Sequence, residues 1–117
     1  MRNIGLLYDK SYAFALRIIN AYKFLQTNGE HILSKQLLRS GTSIGANCKE
    51  AQYAQSKADF INKLHVALKE ASETSYWLDL LKDSNFIDAK SYDSIYSDNI
   101  IKLMTAIIKT TKRNIDA

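Results

Sequence analysis

The stretch SKADFINKLHVALKEASETSYWLDLLKD, residues 56–83, decides the fold. Phe60, Leu64, Ala67, Leu68, Ala71, Ser75 and Leu78 return at three- and four-residue intervals, so they share one face when successive residues are placed at 100° steps. Ser56 followed three residues later by Asp59 has the form of a capping box, with Asp in place of the longer Glu. A helix is expected from residue 57 to near Asp83.

The same period extends in both directions. Upstream, Tyr8, Ala15, Ile18, Ile19, Tyr22 and Leu25 mark a first helix over about 8–26, stopped by Asn28 and Gly29. A second, over about 32–55, carries Leu33, Leu37, Gly41, Ile44, Cys48 and Ala51 on a seam of small residues. Downstream, DSNFID makes a connection of ordinary length. Tyr92, Ile95, Tyr96, Asn99, Ile100, Leu103, Ala106 and Ile107 then form the inward face of a fourth helix over about 88–112. Short connections make sequential helices antiparallel neighbours. The expectation is an all-α, up-down-up-down four-helix bundle, with residues 1–117 as one domain.

Composition agrees. The 117-residue chain is 46% apolar, has no proline and only four glycines, and is therefore rich in core-forming residues and poor in the turn residues that sheets need. There is no internal repeat or low-complexity linker. The single cysteine, Cys48, has no intrachain partner, and no apolar run approaches a membrane span, so a cytoplasmic protein is expected.

No catalytic constellation emerges. A di-iron bundle would need Glu-x-x-His on two helices; His31 falls at a helix boundary and the residue three before His65 is Asn62. Nothing around Cys48 or the serines resembles an activated nucleophile. GTSIGAN spaces its glycines for close helix packing and does not follow a strand as a phosphate loop would. No enzyme activity, metal or cofactor is expected.

Two other patterns carry more. The first is a surplus of apolar surface: Val66, Trp77 and Leu80 on the third helix, and Ile101, Met104 and Ile108 on the fourth, lie away from the predicted seams and suggest an interface between copies. The second is charge. The net charge is +4, and Lys102, Lys109, Lys112 and Arg113 fall in a segment without acids, three of them on one stripe, whereas residues 79–98 are net acidic. These four, with Arg17 and Arg39 behind them, are the candidate phosphate contacts; a solvated face near a helix C-terminus is the plainer alternative. On the second helix Arg39, Ser43, Asn47 and Glu50 align as a narrow polar stripe. A hydrogen-bonded network against the adjoining helix or a neighbouring subunit is expected there.

Two blocks, RSGTSIGANCKEA (39–51) and KLHVALKEASETSYWLDLL (63–81), closely resemble the bacterial four-helix-bundle family named after 23S rRNA intervening-sequence proteins. Arg-Ser, Ser-Ile, Ala-Asn and the following Glu carry the first block, and Ala-x-x-Glu-Ala-x-Glu-Thr-x-Tyr-Trp-Leu the second. Ala51 stands where many members have Gly. The resemblance implies a bundle that assembles into a ring, a homopentamer, without enzymatic activity. Similar bundles serve as accessory variability proteins of retroelements, which implies RNA or DNA and a reverse transcriptase as partners. The expected function is a non-enzymatic oligomeric scaffold that binds nucleic acid through basic surfaces. The alternative is a protein-interaction module that docks a partner polypeptide without nucleic acid.

Overall fold

The computed structural model of the protein describes residues 4–95 and 100–116, with side chains up to Arg113. Within them lie α1 (Ile4–Thr27), α2 (Leu33–Ala51), α3 (Lys57–Asp83), α4 (Ala89–Ile95) and α5 (Ile100–Asp116), and no strand. The expected fourth helix is thus described in two pieces. Tyr96 and Asn99 lie outside the described residues.

Local chemistry explains the ends. α1 stops where Gly29 takes φ +84°, allowing Glu30 N–H to donate to Leu25 O (2.9 Å) and Gly29 N–H to Gln26 O (3.1 Å), the Schellman arrangement. α3 ends the same way on Asn85 at φ 68°, with Phe86 N–H on Leu81 O at 2.8 Å. At the start of α3, Asp59 N–H donates to Ser56 Oγ (3.0 Å), as the capping motif predicts; the shorter Asp carboxylate takes its return bond from Gln55 N–H at 3.2 Å. α2 closes at Ala51, earlier than the expected 55, because Gln52, Tyr53 and Ala54 tighten to bonds three residues back. Its first turn is capped by Glu30, whose buried carboxylate accepts from the N–H groups of Ile32, Leu33 and Ser34 at 3.2, 2.8 and 2.7 Å. Burial pushes this carboxyl up, but those three bonds and the Ser34 side chain together outweigh it and hold it below its ordinary value.

α1 packs on α2, α2 on α3, and α5 closes the bundle against α3 and α1, while the backbones of the diagonal pairs α1–α3 and α2–α5 stay more than 8 Å apart among the described residues. α1 and α2 run antiparallel: Gly41 faces Ile18 while the later Gly45 faces the earlier Ser11. The α1–α2 approach is close enough that a Cβ on Gly41 would stand 2.8 Å from both γ-carbons of Ile18, which is the packing role the glycine spacing predicts.

Two seams are rotated from expectation. On α1 the buried residues are Leu7, Ser11, Phe14, Ile18 and Leu25, leaving Tyr8, Ala15, Ile19 and Tyr22 half-buried; the Tyr hydroxyls favour this edge position. On α5, Met104 (0% exposed) and Ile108 (5%) belong to the core with Ile100, Ile107 and Thr111, and Ala106 is exposed. The proposed interface stripe therefore loses Met104 and Ile108. They are one wide core face with Ile100 and Ile107, the usual breadth for a helix buried against two neighbours.

Candidate nucleic-acid interface

α5 contains no acid between Ile100 and Asn114. With Ile100, Met104, Ile107, Ile108 and Thr111 turned inward, the 100° step puts Lys102, Lys109 and Arg113 on the diametrically opposite, outward face. All three are exposed, and so is Lys112, which lies nearer the side shared with Ile101. Along the axis the row covers about 16 Å at 1.5 Å per residue. None of the four forms an ion pair with a described residue. They make a row of positive charge with no acid interspersed.

The two arginines behave differently. Arg39 crosses from α2 to α3, pairing with Glu73 and approaching Glu70 at 3.4 Å. Two carboxylates neutralise it, so it is a cross-helix tie and no phosphate contact is assigned to it. Arg17 sits in the wall between α1 and α4, where its Nε donates to Ile95 O at 3.3 Å and its guanidinium lies 5.6 Å from the Phe14 ring centroid.

The polar stripe on α2 resolves unevenly. Only Arg39 reaches an adjoining helix. Ser43 Oγ donates to Arg39 O (2.6 Å) and Asn47 Nδ2 to Ser43 O (2.9 Å), both within α2, while Glu50 is exposed without a side-chain partner among the described residues. These short side chains find a backbone carbonyl one turn back before they can reach a neighbour. The buried cross-helix polar contact lies one position away. Ser40 Oγ and Thr74 Oγ1 stand 2.9 Å apart, and they are also bonded to Gln36 O (3.0 Å) and Glu70 O (2.7 Å). Ser40 sits between Leu37 and Ile44, and Thr74 between Ala71 and Leu78, so both occupy core positions of their helices. A hydroxyl at a core position was the signal that would have found them.

Of the remaining interface candidates, Val66 (37% exposed), Leu80 (36%) and Ile101 (44%) are open. Trp77 is half-buried, its indole N–H donating to Glu73 Oε2 at 3.0 Å. Cys48 is fully buried, and burial pushes its thiol up to about 11 despite a lowering contribution from Ser11, so it is chemically quiet. Among the described residues no cluster of three His, Cys, Asp or Glu side chains could hold a metal, and no helix is long and apolar enough to cross a membrane.

Comparison with known proteins adds two findings. The family model for 23S rRNA-intervening sequence proteins matches residues 6–109. The crystal structure of a protein of unknown function from the S23 ribosomal protein family of Bacteroides thetaiotaomicron superposes with a TM-score of 0.89 at 55% identity, over 92% of this chain and 98% of that one. A search of curated proteins returned no match.

Proposed function

The chain belongs to the 23S rRNA-intervening sequence protein family, and from that premise we propose that it is a non-enzymatic cytoplasmic scaffold that binds RNA or DNA through the outward face of α5. The observation that carries the reading is the row Lys102, Lys109 and Arg113, with Lys112 beside it, exposed and with no acid interspersed between Ile100 and Asn114 of the helix. Such a row suits backbone phosphates, which a protein meets without reading sequence. A single chain offers few contacts. Assembly into a ring, a homopentamer in this proposal, multiplies them by raising the effective concentration of each further contact once the first has formed. Of the residues proposed for the interface, the open Val66, Leu80 and Ile101 and the half-buried Trp77 are left to serve that assembly.

Fluorescence anisotropy of labelled RNA and DNA against salt tests this. Affinity should fall steeply with salt, and Lys109→Ala should weaken binding and reduce the log–log slope by about 0.7 per subunit contact on single strands. Binding that is absent, or insensitive to salt and to Lys109→Ala, refutes the reading. The second reading is a module docking a partner polypeptide, such as a reverse transcriptase, and it is favoured by the exposed apolar residues on α3. In that case charge reversal at Lys102, Lys109, Lys112 and Arg113 would leave partner capture intact.

A further inference from the structure

Two helices of the bundle carry apolar residues on their outer faces. On α1, Tyr12 (56% exposed) and Leu16 (48%) stand with the half-buried Ile19 within about 60° of one another at 100° per residue, turned away from the seam of Leu7, Phe14, Ile18 and Leu25. On α3, Val66 (37%), Tyr76 (56%) and Leu80 (36%) fall within about 80°, with Trp77 at their edge. Both helices pack on α2 and α5, and their own backbones stay apart, so the two faces look out from diagonal corners of the bundle.

The charged borders of the faces differ in sign. Lys23 is exposed on α1, and Lys35 and Lys49 share a side of α2 that Lys49 brings against α1, its Nζ lying 5.1 Å from the Tyr8 ring centroid. These stand against Asp9. Around the α3 face, Glu70, Glu73, Asp79 and Asp83 outnumber Arg39 and Lys69. We infer that the two faces are the halves of one contact between copies of this chain, in which Tyr12 and Leu16 of one chain seat on Val66, Tyr76 and Leu80 of the next. Either face laid on its own copy would set like charges together, whereas a head-to-tail contact sets the basic border against the acidic one. It also uses each face once in every chain, which is what a closed ring requires of two different surfaces. The size is adequate. α1 has 24 residues and so runs about 36 Å. A lengthwise contact of that length across the 21 Å width of the molecule covers about 750 Å² per chain, against about 800 Å² per partner in a standard stable interface. The inference rests on the assembly in the reading above and names the surfaces that make it.

The test uses two double variants of the full chain, Tyr12→Glu with Leu16→Glu and Val66→Glu with Leu80→Glu, each checked for helical circular dichroism. If the α1 pair costs the fold, Tyr12→Ser with Leu16→Gln removes the same apolar surface without adding charge. In light scattering each double variant alone should fall to the 13.3 kDa of one chain. Mixed in equal amounts at high concentration, they should recover a mass of two chains, because the intact α3 face of the first meets the intact α1 face of the second while neither can continue the row. An α1 variant that keeps the wild-type mass overturns the inference and leaves the assembly standing, with its contact made by α3 alone. A mixture that stays at one chain overturns it as well, since the two faces then do not meet. A wild type that is itself monomeric removes both the inference and the assembly, and Lys109→Ala still judges the α5 row.

Discussion

At the scale of single residues, the two glycines of α2 look alike in sequence and differ in what they face. A methyl at Gly41 would meet the branched Ile18 side chain at 2.8 Å, and a β-branched residue in a helix has almost no other rotamer to adopt. Gly41→Ala should therefore cost about 1–3 kcal/mol as overpacking. At Gly45 the nearest atom is Ser11 Oγ at 3.3 Å, a hydroxyl that can give by a few tenths of an ångström. There the gain of about 0.5–1 kcal/mol from removing a helical glycine offsets the crowding, and Gly45→Ala should be close to neutral. Thermal or urea denaturation of the pair checks this; equal losses at both positions would contradict it. The sequence showed that the small residues serve close packing. It could not show which of them was tight, because that depends on the facing residue of α1, and α1's seam is rotated from the one its periodicity suggests.

At the scale of elements, the helix ends were the most legible part of the chain where a residue type carries its own geometry. Gly29 in the left-handed region and Ser56 as a cap stand where their chemistry predicts. The cap of α2 was missed because Glu30 lies outside the expected helix and reaches forward to Ile32, Leu33 and Ser34. Glu30→Ala should destabilise the protein by about 1 kcal/mol near neutral pH. The folded carboxyl sits below its unfolded value of 4.5, so its contribution is complete above that pH and is lost as pH falls through the lower folded value. The melting temperatures of wild type and Glu30→Ala should accordingly converge in acid. A constant gap from pH 7 to pH 3 would show that the carboxylate's charge plays no part. α5 illustrates the opposite case. Its apolar residues, from Ala106 through Leu103, Ile107, Ile100, Met104 and Ile108 to Ile101, cover about 220° of the circumference at 100° per residue, and sequence alone divides such a helix arbitrarily into a core and a second face. Only its neighbours α1 and α3 decide that Met104 and Ile108 are inside. The outward lysines were legible for the converse reason, since charged residues on a bundle helix have one place to go.

At the scale of the whole molecule, the bundle is a rod of 51 × 21 × 19 Å with large apolar residues scattered along its sides. If these serve assembly, light scattering should return a mass near five times the 13.3 kDa chain. The double variant Val66→Glu and Leu80→Glu should drop to one chain with its helical circular dichroism intact. A wild-type protein that stays monomeric at all concentrations would remove the assembly from the proposal. The Arg39–Glu73 tie between α2 and α3 gives this experiment its own readout. The chain has one tryptophan, Trp77, and its indole N–H rests on the same Glu73 carboxylate that pairs with Arg39, with the Tyr76 ring edge-on at 5.0 Å. The unlabelled emission of that ring is a gauge built into the protein: its colour and intensity register both the loosening of the α2–α3 junction and the arrival of a neighbour over Val66 and Leu80.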